Sequence, residues 1–383
     1  MLLLARKNLF SERTRLAISV GGVALAVLLI TTLLSLYRGW DSKVGGFVEN
    51  SDIDVWVASE GATDFLSAAS ILPPDGEQFL EDNPSVVEWA PLIVRPMLGI
   101  NVEIPVEENK EPVGVDMNIQ LIGFDTAKVL GGPIEVVEGK GTPGAGEVVV
   151  DEALTKRYAL DVGDTMWAGG RNWTVVGIST GGDFVAQQTV FVTLEAAREA
   201  LKMEGLATFY VMTMKENFDY EDVKKFTDDI ELLQDGIVAF TREELASETR
   251  ERILGEVLPI LAMVLGLAFI VGLAVAGLTI YTATVEKSRE YGILKAVGFK
   301  NQYLFRVVLE QSMVTGALGF AIGVGLTLLF SPFASDFVPQ FVMYTRWQDI
   351  LLVAGTTLLM SAIAAYIPVR RLASIDPVAV FKA

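Results

Sequence analysis

The sequence of 383 residues contains neither histidine nor cysteine. Without cysteine the chain has no disulfide bond and no thiol chemistry. Without histidine it lacks the commonest general base and metal ligand. A phosphate-binding loop is missing as well. The run most similar to such a loop is Gly139-Lys140-Gly141-Thr142. It lacks the earlier glycine that the loop requires, because Ile134 occupies that position, and Gly141 separates the lysine from the threonine that should follow it directly. We therefore expect no catalytic residue, metal site or bound cofactor in this chain.

Basic residues are also scarce, and their distribution is uneven. The chain has 30 Lys and Arg against 48 Asp and Glu, a net charge of −18, yet its mean hydropathy is +0.43. Residues 38–252 hold 40 of the acidic and 17 of the basic side chains. Charge and apolar sequence are thus segregated, which indicates a membrane protein with one large acidic aqueous domain. An acidic domain also argues against nucleic acid as a partner.

Four long apolar runs predict the membrane spans. Residues 16–36 carry no charge and are long enough to cross about 30 Å of hydrocarbon. A signal peptide is the alternative, but this run exceeds a typical signal core and no small-residue cleavage site follows it, so we favour an uncleaved span. Further spans are predicted at 257–285, 307–330 and 349–368.

The predicted fold class is a membrane α-helical protein with four transmembrane helices and an inserted α+β extracytoplasmic domain. Residues 1–37 form a cytoplasmic N-terminus and the first transmembrane helix, residues 38–252 the inserted domain, and residues 253–383 the last three spans with a cytoplasmic tail. Basic residues are concentrated in the loop 286–306 and in the tail, so both are expected in the cytoplasm of a plasma or inner-membrane protein.

Alternating β-branched runs and turn residues predict the elements of the inserted domain. Its 40 carboxylates show no arrangement beyond what chance would give, and we interpret them as a solvated acidic surface. Strands are predicted at 52–58, 86–102, 117–124, 172–179, 189–193, 208–214 and 236–240, with two more in the segment 146–166. Helices are predicted at Asp75–Asn83, Glu152–Tyr158, Tyr220–Leu233 and, leading into the second span, at Thr241–Glu251.

The loop between the second and third spans contains a short amphipathic helix. In Glu286–Gly298, Tyr291, Leu294 and Val297 recur every three residues, the charged residues face away from them, and Gly298 is a plausible C-cap. Such a helix is expected to bury its apolar stripe either in the membrane surface or in a groove of a partner protein. A loop helix that merely lies on lipid is the alternative to a docking element.

This run resembles the signature of the MacB/FtsX-type permeases of ABC transporters, in which a helix of this pattern is the coupling helix. The corresponding segment here is about 286–300, and its core is Glu290, Tyr291, Gly292, Ile293, Leu294, Lys295, Ala296, Val297 and Gly298. Tyr291 departs from the more usual aliphatic residue. The segment 146–166 is similar to the family's periplasmic-domain signature, so the resemblance extends over the whole chain.

The resemblance implies a permease that works with a separate ABC ATPase subunit, which would bind ATP and Mg²⁺. It further implies a homodimer or a pair of permeases in contact with membrane lipid, and it leaves open a membrane-fusion protein. ATP hydrolysis would move the extracytoplasmic domain to export or extract an amphiphilic, lipid, lipoprotein or peptide substrate. The alternative is a mechanical signal transducer that activates an extracellular partner such as a cell-wall hydrolase.

Two features within the spans are further candidates. Glu310 is the one carboxylate inside a predicted span, and it is either a functional intramembrane group or a side chain that reaches the nearby interface beside Arg306. Small residues at a spacing of four, Gly272/Ala276 and Gly319/Gly323, predict a close approach of helices, within the chain or between subunits.

Overall fold

A computed structural model describes residues 13–66, 70–74, 83–104, 113–182, 188–297, 299–337 and 341–373. The chain divides into two compact units. The helical unit comprises Met1–Gly39, Val257–Ser335 and Val342–Ala383, and the sheet unit comprises Trp40–Glu256 and Asp336–Phe341. The helices are α1 (Arg13–Lys43), α2 (Gly46–Asn50), α3 (Glu152–Tyr158), α4 (Leu194–Leu201), α5 (Tyr220–Leu233), α6 (Arg242–Glu286), α7 (Ser288–Ala296), α8 (Asn301–Phe337) and α9 (Trp347–Ala373).

The strands belong to one mixed ten-stranded sheet in the order β10-β1-β9-β2-β3-β8-β5-β7-β4, with β6 paired to β2 and β7. They are β1 (Val55–Ser59), β2 (Val86–Ile104), β3 (Val113–Phe124), β4 (Glu135–Gly139), β5 (Glu147–Asp151), β6 (Thr165–Ala168), β7 (Arg171–Thr180), β8 (Gln188–Thr193), β9 (Phe209–Met214) and β10 (Ile237–Thr241).

Four helices in the described part of the chain are long and apolar enough to cross a membrane: α1, α6, α8 and α9. This confirms the four predicted spans. Three of the helices extend beyond the predicted apolar runs: α1 continues past residue 36 to Lys43, α8 continues past residue 330 to Phe337 with Pro332 inside it, and α9 continues past residue 368 to Ala373.

Small residues allow α8 and α1 to pack closely within the helical unit. A Cβ added to Gly319 would lie 2.6 Å from the Val23 side chain, and one added to Gly323 would lie 2.7 Å from the backbone oxygen of Ala24. Neither position can accept a side chain without moving the neighbouring helix. These glycines therefore allow α8 to pack against α1 within the chain.

The long strand β2 holds the two halves of the sheet unit together. Residues 86–92 of β2 pair with β9, and residues 93–104 pair with β3. On one side of this division lies an aromatic core, in which the Trp56 ring contacts Phe65 and Phe209 edge to face at 5.5 and 5.7 Å. On the other side, β3 pairs with β8 and β5 with β7 in parallel, around a second, methionine-rich core.

Most predicted elements of this unit occur close to their predicted positions, and α5 spans the predicted residues Tyr220–Leu233. Its first turn carries a capping box formed by Asp219 and Asp222. Three elements were missed: α2, α4 and the fully exposed strand β4. The predicted helix Asp75–Asn83 lies almost entirely outside the described residues.

Candidate functional site

The coupling segment forms a separate helix, α7, directly after the second span. Helix α6 ends at Glu286, and Lys287 breaks the helical path with φ −90° and ψ 12°. The backbone still remains hydrogen-bonded through the break: the Lys287 N–H donates to the Ala283 oxygen at 3.3 Å, and the Tyr291 N–H donates to the Lys287 oxygen at 3.0 Å. The chain can therefore change direction between α6 and α7 without leaving these groups unpaired.

Tyr291 attaches α7 to the rest of the helical unit. Its side chain is 5% exposed and belongs to the same buried cluster as Ile280 of α6 and Leu304 and Val308 of α8. Burial raises the pKa of Tyr291 to about 12, and the nearby Glu290 carboxylate adds to this effect. The ring is therefore a neutral anchor at any working pH.

This burial corrects one expectation from the sequence. The apolar stripe of α7 was expected to be buried only by lipid or by a partner, but Tyr291 is buried in a cluster formed by the chain's own spans. Gly292 is buried too, so it does not contribute to the exposed surface of α7. The Leu294 side chain and Gly298 lie outside the described structure.

Other apolar residues of the segment remain exposed. Val297 is 72% exposed, Ile293 is 45% exposed, and Phe299 is also exposed. The Phe299 ring packs against the Tyr303 ring, with their centroids 4.8 Å apart, which joins the exposed residues to the start of α8. We call Ile293, Val297 and Phe299 the apolar face. A cluster of this kind at a helix end is typical of a docking or membrane-contact surface.

Charged side chains surround the apolar face. Arg289, Glu290, Lys300 and Arg306 are exposed, and Ala296 is exposed among them. Lys295 is half-buried and already engaged in an interaction. The exposed surface of this segment thus combines apolar side chains with mainly basic ones. Glu310 lies further along α8, one turn after Arg306, and is half-buried.

The other end of α6 is tied into the sheet unit by two arginines that the sequence analysis missed. Arg250 donates to the Glu49 carboxylate at 2.5 Å and to the backbone oxygen of Asp41 at 3.2 Å. Arg252 contacts the buried Asp64 carboxylate at 3.2 Å. The available signal was the presence of two basic residues in the otherwise acidic segment 243–252, whose partners lie far away in the sequence.

Two protein families match this chain. Residues 16–229 match the MacB-like periplasmic core domain, and residues 262–377 match the FtsX-like permease C-terminal domain. The first match alone covers more than half of the chain. The second contains most of α6, the whole of α7 and α8, and the described part of α9.

Several curated relatives are similar over long stretches. HrtB of Staphylococcus haemolyticus, named as a hemin transport system permease protein, is 24% identical over 246 residues, or 64% of this chain and 66% of the relative. An uncharacterised ABC transporter permease of Methanocaldococcus jannaschii is 23% identical over 231 residues, or 57% of each chain. An uncharacterised ABC transporter permease of Mycobacterium bovis is 23% identical over 384 residues, or 100% of this chain and 99% of the relative.

This chain thus spans just under two thirds of the first of these relatives, over half of the second and nearly all of the third. The two family matches follow the order of the fold, with the periplasmic core first and the remaining spans after it. Four span-capable helices and a mixed α/β domain accompany them. The chain therefore belongs to the MacB- and FtsX-like permeases of ABC transporters, as a multi-pass membrane protein.

Proposed function

We propose that α7 is the docking site for a separate ABC ATPase subunit, through which ATP hydrolysis drives movement of the extracytoplasmic domain. The observation that supports this most is the division of α7 into two sides. Tyr291 fixes the helix to the chain's own spans, while the apolar face of Ile293, Val297 and Phe299 is left for a partner. A helix anchored on one side and exposed on the other can pass a push from the partner to the spans.

Helix α6 is the element that would carry the displacement. It is a continuous helix of 45 residues, with α7 directly after its C-terminal end. Its N-terminal turns are held within the sheet unit by the ion pairs of Arg250 and Arg252. Helical backbone transmits displacement along its axis because each turn is hydrogen-bonded to the next, although Pro259 removes one of these bonds.

The charge distribution supports an orientation with α7 and both termini in the cytoplasm and residues 38–252 outside. Basic side chains cluster around α7, and the inserted domain is acidic. This places the docking helix on the side of the membrane where ATP is available. A pair of permease chains, identical or different, would then present two such helices to two ATPase subunits.

We further propose export or extraction of an amphiphilic substrate as the outcome of this movement. One relative is named for hemin transport, and hemin combines an apolar ring with charged groups. A second is named as a macrolide export protein. The alternative function, signal transduction to an extracellular partner, would use the same coupling step. Unlike export, it would move no substrate out of the membrane or the outer aqueous space when ATP is hydrolysed.

The substitution Val297→Glu tests docking at the apolar face. Val297 is 72% exposed, so the change adds a charge without disturbing the core, but it would bury that charge if an ATPase groove covered the site. Burying an unpaired carboxylate is strongly unfavourable. We expect recovery of the ATPase with the affinity-purified permease to fall by about tenfold or more, which corresponds to about 1.4 kcal/mol.

Leu233→Glu is the matched control, because Leu233 is an 86% exposed apolar residue of α5 in the sheet unit. It should leave recovery of the ATPase unchanged. Normal recovery with Val297→Glu would refute docking at this face. Loss of recovery with both variants would mean that the effect is not specific to α7.

A further inference from the structure

An apolar cavity of about 280 Å³ lies inside the sheet unit, apart from α7. Strands β2, β3 and β5–β8 form its walls together with Leu154 of α3, and α4 covers one side with Ala196 and Ala200. Its volume is close to the roughly 300 Å³ at which small-molecule sites begin. It is also nearly twice the volume of an engineered apolar cavity that stays dry and accepts a small hydrocarbon, about 150 Å³.

The inner lining of the cavity is almost entirely apolar. Met117, Met166 and Trp173 are buried there, and the half-buried Met97 joins them. Methionine side chains are unbranched and can reposition around ligands of different shape. Among the described lining residues, the only side-chain hydrogen-bonding groups are the Trp173 ring N–H, which donates to the backbone oxygen of Ala168 at 3.1 Å, and the Asn101 amide.

The cavity opens to solvent on one side. Its exposed lining residues, Asn101, Gly169 and Ala200, mark the entrance. The Asn101 amide donates to the Asp116 carboxylate at 3.2 Å, so it is a polar group at the rim. Beside the lining, the Arg171 guanidinium stacks on the Trp173 ring at 3.9 Å and pairs with Glu199 at 2.7 Å. The rim is therefore polar and carries both signs of charge, while the interior is not polar.

We propose that this cavity binds the aliphatic chain of an amphiphile, with the polar end of the ligand held at the rim. A polar ligand would lose its hydrogen bonds to water in the interior and gain none. A charged ligand would be disfavoured even more. An aliphatic chain needs no partner there, fills space that would otherwise lack contacts, and can follow the adaptable methionine lining.

This inference deepens the proposed function, because it gives the substrate an aliphatic chain and a site in the extracytoplasmic domain. The claim that the bound ligand is the transported substrate rests on the proposed export function, but the claim that the cavity binds a ligand does not. Binding itself requires neither ATP nor the ATPase subunit, so it can be measured on the permease alone. A negative result here would leave docking at α7 untouched, and loss of docking would leave this site untouched.

The test uses the full chain in detergent-free lipid nanodiscs with a palmitic acid that carries a photoreactive diazirine. After irradiation, we expect labelled peptides that contain Met117, Met166 or Trp173, and we expect excess unlabelled palmitate to remove the label from them. Ala200→Trp fills the entrance from an exposed position and should lower this labelling at least fivefold. Ala127→Trp places the same side chain at an exposed residue away from the cavity and should not.

Two results would overturn the proposal. One is labelling confined to the spans in the unmodified chain, which would mean that the probe detects only lipid-facing surfaces. The other is cavity labelling that persists at full yield in Ala200→Trp, or that unlabelled palmitate does not compete away. The competition experiment needs no variant, so the test stands even if Ala200→Trp folds poorly.

Discussion

Tyr291 provides a sharp test of how α7 is held. Its ring is almost fully buried in the cluster that contains Leu304 and Val308 of α8. Truncating a buried aromatic side chain to alanine typically costs about 3–5 kcal/mol. If about 3 kcal/mol of this loss falls on the packing of α7 against the spans, the population of molecules in which α7 is detached from them rises on the order of 100-fold. Tyr291→Phe keeps the ring and should cost far less.

Hydrogen exchange in lipid nanodiscs measures this directly. The Val297 N–H donates to the Ile293 oxygen at 3.0 Å, so its protection reports on whether the end of α7 stays formed. In Tyr291→Ala, the peptide covering residues 288–297 should exchange on the order of 100-fold faster. The α5 peptide, Tyr220–Leu233, should not change. Unchanged protection of α7 in Tyr291→Ala would refute the anchoring role.

The ionisation of Tyr291 gives the same prediction a pH dependence. Its pKa is raised to about 12 when α7 is packed against the spans, whereas the pKa of a free tyrosine is about 10. Packing against the spans therefore favours the protonated phenol. The stabilising effect of the buried Tyr291 ring is complete below about pH 10 and is lost as the pH rises toward 12. Tyr291→Phe has no proton to lose, and its α7 protection should not follow this decline.

Two further predictions concern helix packing and topology. Gly323→Ala should lower the thermal stability of the helical unit markedly, because the added Cβ would lie 2.7 Å from the Ala24 oxygen. Gly325→Ala is the control, since a Cβ there meets no atom within 4 Å and should be tolerated. Equal stability of the two variants would contradict this packing. A single cysteine at position 220 should react with a membrane-impermeant thiol reagent in intact cells, and one at position 290 should react only after permeabilisation. Labelling of position 290 in intact cells would contradict the proposed orientation.

Local signals in the sequence predict the elements of this protein well. The spans follow from long apolar runs, α5 begins at a capping box, and α7 follows from a three-residue apolar spacing between two spans. Strand β4 was missed because its residues are all exposed and lie between glycine-rich turns, so no alternation with a core face marks it.

Contacts between distant segments could not be predicted from the sequence. The parallel pairing of β3 with β8 joins Ile119 to Gln188, and nothing local to either strand specifies that register. The burial of Tyr291 depends on its meeting Leu304 and Val308 of α8 in one cluster, and the ion pair of Arg252 joins the start of α6 to Asp64, far away in the sequence. A single sequence shows the residue types but not which of them meet.

The central claim is that an ATPase covers the apolar face of α7. The most direct measurement replaces Val297 by a photo-cross-linking amino acid in living cells and identifies what is joined to it by mass spectrometry. We expect an adduct with an ABC ATPase subunit, at a yield that changes when ATP hydrolysis is blocked. Adducts with lipid alone, under conditions in which the permease is active, would show that α7 lies on the membrane surface and would refute ATPase docking at the apolar face.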